Sequence, residues 1–591
     1  MAPVGDSLSP LQPWARLARK PAVQMLALVV LTVGAYASAF GNGFVSDDRS
    51  SIVAGRAIGS LRNLPQLFLH DCMWNSVGDA FARASAVDTY RPLPVASFFV
   101  EHAIYGEHAG GYHADSVLLH VLNVLLVWLL GRRLGLPAAA AVFAAALFAA
   151  HPSICEAVHW INGRSDPMTM VFLLAGLHLW LPWVGGAKPG WLRVAGICVL
   201  TFCASLCKET AFVLAPAGGA LALSLLRAQR RSDMASRVLA LGAPWIAGLA
   251  LGLVARTLAL GRLATGSGSQ VGYAVARIPL LWRDGLVSLL LPSAAIRASL
   301  FTRYRETSSL SIVLSTGLAL ALVLAAGWAY RNRRPVLLPW FVLAFLVTLA
   351  PVSLLTSFEG WAGWGRFLYP VTPMLALALA EIGALALAGR RPRPWLSAVM
   401  ACVPVLLAAH TFAAGADFRN ERQYNMAQIR DDPTSAVGYL QLGSLERFRG
   451  HPAQAIPLLE KGVALDPRST SGWSLLAWSY LAVGASEPAY RAARTTRALE
   501  PDDKVARFVE CAVLLRKGQQ EEAAAVLLPL LGDDPESKGL WQEAFKAVTR
   551  FGVDSPFGAA VRLAVRDGRY RPIQAQLEAL VAAPPPRPAA E

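Results

Sequence analysis

The sequence predicts an all-α protein in two parts, a multi-span transmembrane helix bundle followed by an α-solenoid of short repeats. Three observations carry that prediction. The 591 residues are 55% hydrophobic and only 16% charged, against roughly 25% charged in soluble domains, and the mean hydropathy is +0.43. About eleven apolar runs, broken by basic or polar segments, fill the chain up to residue 416. Beyond it the composition turns soluble, and prolines at 433, 467, 501 and 535 recur every 34 residues.

Residues 1–21 form a cytoplasmic N-terminus that ends in Arg16, Arg19 and Lys20. The run 22–40 that follows holds Ala37-Ser38-Ala39, which resembles a signal-peptide cleavage site. At about 20 residues the run is long enough to span, and it is read as a retained first helix. Residues 41–116 make a polar first outer loop. The later runs fall near 117–131, 137–150, 167–184, 191–207, 210–226, 238–258, 310–330, 335–355, 367–388 and 395–415. With this count every dense basic cluster lies on one side: Arg132/Arg133, Lys188/Arg193, Arg227/Arg230/Arg231/Arg237, Arg331/Arg333/Arg334 and Arg390/Arg391/Arg393. The positive-inside rule asks for this asymmetry. Counting 278–293 as a further span would put Arg331–Arg334 outside, and that run carries Arg283 and Asp284, which are costly in lipid. It reads as an interfacial or re-entrant segment.

A period of 34 is the tetratricopeptide length. The second repeat carries the pattern best, with Trp473, Leu476-Ala477, Tyr480, Ala489 and Pro501. Large and small side chains at these positions let paired helices interlock and neighbouring repeats share a core. A repeat domain is therefore expected over 417–582, with 536–582 as a helical cap. The Pro- and Ala-rich tail 583–591 is too poor in core-forming residues to fold. Eleven spans with the N-terminus inside place the repeats outside.

Composition also removes some function classes. The formal net charge of +15 is spread along the ends of spans, which argues against a nucleic-acid surface. The seven cysteines form no CxxC pair, so no zinc site is expected. Cys72 and Cys155 both fall on the outer face and are expected to be free, a disulfide being the alternative.

Candidate chemistry gathers outside. Asp47 and Asp48 follow the first span at once in GNGFVSDDRSSI, where two acids could simply stay in water. Polar motifs recur where later spans reach the same face: YRPL at 90–93, GYHADSVLLHVLN at 111–123, HPSICEAVHWINGRSD at 151–166, Lys208-Glu209, and GRFLYP at 365–370. The 151–166 stretch is richer in charge than anchoring requires, and polar groups at this depth tend to mark substrate paths. A polyprenyl-phosphate sugar fits such a face. A carboxylate takes the acceptor hydroxyl's proton as the oxygen attacks the anomeric carbon. The leaving phosphate needs cations, for which Arg91, Arg164, Lys208 and Arg366 are candidates.

In their joint order these motifs, followed by the repeats, resemble the transmembrane and tetratricopeptide-repeat O-mannosyltransferase family, within the GT-C class of membrane glycosyltransferases. The resemblance covers roughly residues 25–535 and is densest over 41–175. It implies transfer of mannose from a lipid-phosphate donor to Ser or Thr hydroxyls of proteins, with the repeats on the lumenal side and free to hold the acceptor. Asp47 and Asp48 match the acidic pair of the first outer loop, the match leaving open which is the base. His151, Glu156, Arg164 and Asp166 match the His-Pro…Glu-Ala-Val…Gly-Arg block. Lys208, Glu209 and Arg366 join Arg91 as expected donor-binding residues. Three positions depart from the family pattern: Ile154 replaces a frequent second His, Asp115 stands where Asn is common, and Gly365 precedes Arg366 where Glu is usual. The lack of an ER-retention signal and the high Ala and Arg content favour a bacterial inner membrane with periplasmic repeats and an undecaprenyl-type donor. No metal site is expected from ligand spacing, and a divalent-metal requirement is left open.

Two other classes compete. A non-enzymatic membrane scaffold would need only a peptide-binding repeat domain, and the charged outer loops argue against it. A transporter would place charges near mid-membrane, where Glu381 is the one clear acid.

Overall fold

A computed structural model describes residues 20–55, 57–72, 74–75, 89–230, 234–261, 271–292, 309–351, 365–389 and 394–533. Of the features expected from sequence, Arg16, Arg19, Arg231, Arg390, Arg391, Arg393, Pro535, the cap and the tail lie outside the described residues. Among those residues every regular element is a helix. The chain divides after Pro433 into two compact units.

The first unit holds α1 (Pro21–Ala35), α2 (Pro92–Tyr105), α3 (Ala109–Arg133), α4 (Ala138–Ala150), α5 (Ser165–Val184), α6 (Trp191–Cys207) and α7 (Ala211–Ala228). It continues with α8 (Met234–Leu260), α9 (Val271–Leu290), α10 (Ser309–Asn332), α11 (Leu338–Leu349), α12 (Thr372–Ala386), α13 (Pro394–Ala414) and α14 (Glu421–Asp431). Each of the eleven apolar runs becomes a helix. Six of them, α3, α5, α7, α8, α10 and α13, are long and apolar enough to cross a membrane, whereas α1, α4, α6, α11 and α12 are shorter. The exposed side of α10, with Leu310, Val313, Leu314, Leu320, Leu324 and Trp328, is what a lipid-facing helix presents. The protein is a membrane helix bundle.

The short helix α4 sits at the centre, packed on α1, α3, α12 and α13. Its sequence explains why. Ala141, Ala144, Ala145, Ala149 and Ala150 are all fully buried, and such small side chains let neighbouring backbones come close. Thirteen residues rise only about 20 Å. The chain therefore leaves the helix early, and 151–164 continues as short buried helical turns. Polar glue joins the same region. His120 Nδ1 lies 2.8 Å from the Tyr369 hydroxyl, and Asn123 Nδ2 donates to that hydroxyl at 3.1 Å and to Pro167 O at 2.9 Å.

Val271–Leu290 is a helix carrying an Arg283–Asp284 ion pair at 2.6 Å. The boundary expected at 416/417 falls inside the first unit. There α14, though polar in sequence, packs with Gly415–Phe418 at the end of α13. Cys72 and Cys155 are not joined by a disulfide.

The second unit contains three helix hairpins: α15 (Ala436–Phe448) with α16 (Pro452–Leu465), α17 (Thr470–Ala482) with α18 (Ser486–Leu499), and α19 (Lys504–Arg516) with α20 (Gln520–Asp533). Each hairpin turns at a glycine of positive φ, Gly450, Gly484 and Gly518, which ends the first helix in a left-handed residue without a Cβ clash. Gly462 lies under Leu440, where a Cβ would come within 2.4 Å of the leucine side chain. Ala477, Ala489, Ala493, Val509 and Val513 fill the next layer.

Glu381 of α12 accepts from the backbone N–H groups of Val336 and Leu337, both at 2.8 Å, at the start of α11. Its charge sits on a helix N-terminus, where an anion is favoured. Replacing it by leucine orphans two donors at about 1–3 kcal/mol each. Thermal unfolding of detergent-solubilised Glu381→Leu is expected well below wild type, with Glu381→Gln between the two.

Candidate active site

The loop after α1 starts with a turn that separates its two acids. Ser46 has φ 53°, an uncommon backbone conformation for a residue with a side chain. Past this turn Asp47 is open to solvent while Asp48 is fully buried. Asp48 Oδ1 accepts from the Asn162 backbone N–H at 2.9 Å and from Asn162 Nδ2 at 2.7 Å, and its Oδ2 accepts from Val45 N–H at 3.2 Å. Burial raises the Asp48 carboxyl to about 7 despite these donors. Asp47 keeps an exposed edge, yet the protein packed around it raises its carboxyl as well, while Arg366 and Arg91 oppose the rise.

Around Asp47 the candidate cations each have an acid. Arg91, just before α2, donates to Glu209 through Nη2 at 2.7 Å and Nε at 3.0 Å, and its charge brings the Glu209 carboxyl below its ordinary value against the effect of burial. Lys208 pairs with Asp166, both buried. The Lys208 ammonium is pushed down by burial more than Asp166 restores it, and it lies 4.8 Å from the centre of the Phe367 ring. Arg366 has Nη1 3.7 Å from Glu156 Oε1, while its backbone N–H points to Oε2 at 3.4 Å. Its guanidinium covers the Trp160 ring at 4.6 Å, and Trp160 Nε1 donates to Val45 O at 3.2 Å. Burial raises Glu156, with Arg366 and Lys208 opposing. The cations thus feel one another: Arg91 and Arg366 both depress Lys208.

Eight of the ten sequence candidates belong to this electrostatically linked set. The other two lie elsewhere. His151 Nε2 is 2.9 Å from Leu289 O and its Nδ1 accepts from Ser153 N–H, so it anchors the 151–154 turn to α9. Arg164 is fully enclosed between α2 and α3. There it pairs with Glu101 and donates to Tyr112 O at 2.7 Å, Ser116 Oγ at 3.1 Å and Ser97 Oγ at 3.2 Å. His159 lies between Ser38 Oγ and Cys155 O, each 3.2 Å away, stacked on Phe418. Gly365 has a packing reason: a Cβ there would meet Ser153 O at 2.3 Å, so no side chain fits.

Sequence reasoning missed Glu101, Asn162 as partner of Asp48, and Glu421, whose Oε2 accepts from Ser46 N–H at 2.6 Å. Asn162 stood inside a motif already singled out; Glu101 and Glu421 carried no local signal. Among the described residues no three His, Cys, Asp or Glu side chains gather as metal ligands. Removing the partner of a buried Arg leaves an uncompensated charge at a cost of about 3–5 kcal/mol. Glu101→Ala should therefore lower the unfolding temperature sharply, and Glu101→Gln less.

No family model matches the chain. It is 34% identical over 203 residues to a protein named protein O-mannosyl-transferase Tmtc1 of Drosophila melanogaster, covering 33% of this chain and 22% of that one. The Caenorhabditis elegans protein O-mannosyl-transferase F38B6.6 is 31% identical over 162 residues, 26% of this chain and 22% of its own length. The human protein O-mannosyl-transferase TMTC4 is 32% identical over 153 residues, 24% and 20%. The matched stretches span about a fifth of these relatives. The similarity to the transmembrane and tetratricopeptide-repeat O-mannosyltransferases, expected from the motifs, is thus present in the sequence comparison.

Proposed function

We propose that this protein is a membrane glycosyltransferase that moves a mannose-like sugar from a polyprenyl-phosphate donor to a hydroxyl, a Ser or Thr of an exported protein. The observation that carries the reading is the division of labour between the two acids. Asp48 has both oxygens engaged and no exposure, whereas Asp47 is exposed and near enough to Arg366 and Arg91 to feel their charge. Asp47 is therefore the base and Asp48 the residue that fixes it.

In the step itself the acceptor oxygen bonds to the anomeric carbon as the carbon–oxygen bond to phosphate breaks. The hydroxyl proton passes to Asp47, whose raised basicity suits the task. The electron pair leaves with the phosphate, whose growing charge is met by Arg366 and Arg91. Both are partly exposed, at 11% and 26% of the side chain. Glu156 and Glu209 hold these guanidinium groups in place before substrate arrives. The lipid tail lies among the helices, and the repeats, on the outer side of a bacterial inner membrane, hold the acceptor.

The test uses purified protein in lipid with a polyprenyl-phosphate mannose and a Ser/Thr peptide, read by mass spectrometry. A general base contributes about 10²–10⁴-fold, so Asp47→Asn should lose at least 100-fold with thermal stability retained. Wild-type turnover in Asp47→Asn would overturn the reading. Asp48 is raised to about 7, so its carboxylate gains a proton as pH falls through 7 and loses its acceptor role toward Asn162. Wild-type transfer should drop over that range. Asp48→Asn should be slower at pH 8 and should lack that acid limb.

A further inference from the structure

The segment that follows the last span is built against the acid-bearing loop. Three hydrogen bonds join them across more than 370 residues of sequence: Gly43 N–H to Arg419 O at 3.0 Å, Asn42 Nδ2 to Gly415 O at 3.1 Å, and Ser46 N–H to Glu421 Oε2 at 2.6 Å. Phe418 stacks on His159 and packs against Tyr424. A Cβ at Gly415 would come within 2.0 Å of Ser38 Oγ and 2.4 Å of His159 Nε2, so this close approach is available only to glycine. The strongest of the three bonds is charge-assisted, and it ends on Ser46, a non-glycine residue held at positive φ directly before Asp47.

We propose that Glu421 is a positioning residue for the base, holding Ser46 in its left-handed turn so that Asp47 faces the cleft while Asp48 stays buried. This inference rests on the reading of Asp47 as the base. A left-handed serine costs about 1–3 kcal/mol and persists only where its surroundings over-determine it. The Glu421 carboxylate supplies that constraint at the backbone N–H itself. Its other oxygen takes a long bond from Asn425 Nδ2, 3.4 Å away, which fixes the side chain from within α14. Arg49 and Asp47 are the charged groups that act on Glu421, with opposite signs.

The assignment separates from general stability through a rescue. Glu421→Leu removes the acceptor and should lower kcat at least tenfold, with the peptide KM within threefold of wild type. Glu421→Gln still offers an oxygen to Ser46 and should keep kcat within threefold. Glycine adopts the left-handed turn without strain, so adding Ser46→Gly to Glu421→Leu should recover at least threefold in kcat. Wild-type kcat in Glu421→Leu, or a loss that Ser46→Gly does not relieve, would overturn the assignment. A readout independent of catalysis is amide hydrogen exchange over 41–52 in the full-length protein. The Ser46 amide should be protected in wild type and lose that protection in Glu421→Leu; equal exchange in both overturns the assignment. Absence of transfer by the wild type, with the exchange difference present, would instead count against the glycosyltransferase reading alone.

Discussion

The candidate site depends on one buried carboxylate. Asp48 lies where ionisation is costly, and it is held by the backbone and side-chain N–H groups of Asn162 and the N–H of Val45. That cluster ties the loop after α1 to the turns after α4, two segments 114 residues apart. Trp160 adds a second tie through Val45 O, and the same indole ring carries Arg366. The acid, the aromatic floor and one cation are thus fixed to a single stretch of backbone. With Asp48 so occupied, its neighbour Asp47 is the carboxylate left to meet a substrate.

The surrounding charges follow the rule that a buried ion needs a partner. Lys208 has Asp166, Arg164 has Glu101, Arg91 has Glu209 and Arg366 has Glu156. The four pairs differ in what water can reach. Arg164–Glu101 is sealed and behaves as part of the frame, joining α2 to α3. Lys208–Asp166 is sealed as well, but its charge reaches the cleft, as its mutual repulsion with Arg91 and Arg366 records. Arg91 and Arg366 are partly open and can exchange or share an anion. A gradient from frame to cleft is therefore built from one type of interaction at different depths. The apolar bundle makes this work: alanine-rich α4 draws four helices together, and the polar turns that follow it are the face on which the pairs assemble.

How much of this could be read from the sequence differs with range. The apolar runs became helices because hydropathy alone decides where a chain enters lipid. The 34-residue spacing became hairpins because each repeat needs the same turn glycine, Gly450, Gly484 and Gly518, and the same small residue in the second helix, Ala455, Ala489 and Ala523. Asp47, Asp48 and the 151–166 stretch were visible as charge where anchoring did not call for it. What stayed hidden was pairing across distance. Glu421 lies 375 residues from Ser46 in a stretch whose polar composition resembled the start of the repeats. Arg164 looked like a phosphate ligand because nothing near it in sequence marked Glu101 as its partner. Gly365 departed from the family pattern for a reason only packing reveals, the Ser153 carbonyl in the space where a side chain would begin.

The two acids also show why adjacency in sequence is not redundancy. Were both Asp47 and Asp48 open to the cleft, two negative charges would repel a phosphate-bearing donor, and each would raise the other's basicity without direction. The left-handed turn at Ser46 sends them to different environments, one sealed and bonded, the other at an exposed edge within reach of the charges of Arg366 and Arg91. Those cations work in two ways at once. They make the cleft attractive to a phosphate anion, and they oppose the rise in Asp47 basicity that desolvation causes. Once a phosphate sits on Arg366 and Arg91, its negative charge cancels much of their pull on Asp47. The carboxylate then becomes a stronger base when the donor is in place. In the proposed reaction, proton abstraction would thereby be favoured in the loaded site, an ordering that follows from Coulomb interactions among these residues and the donor and needs no moving part.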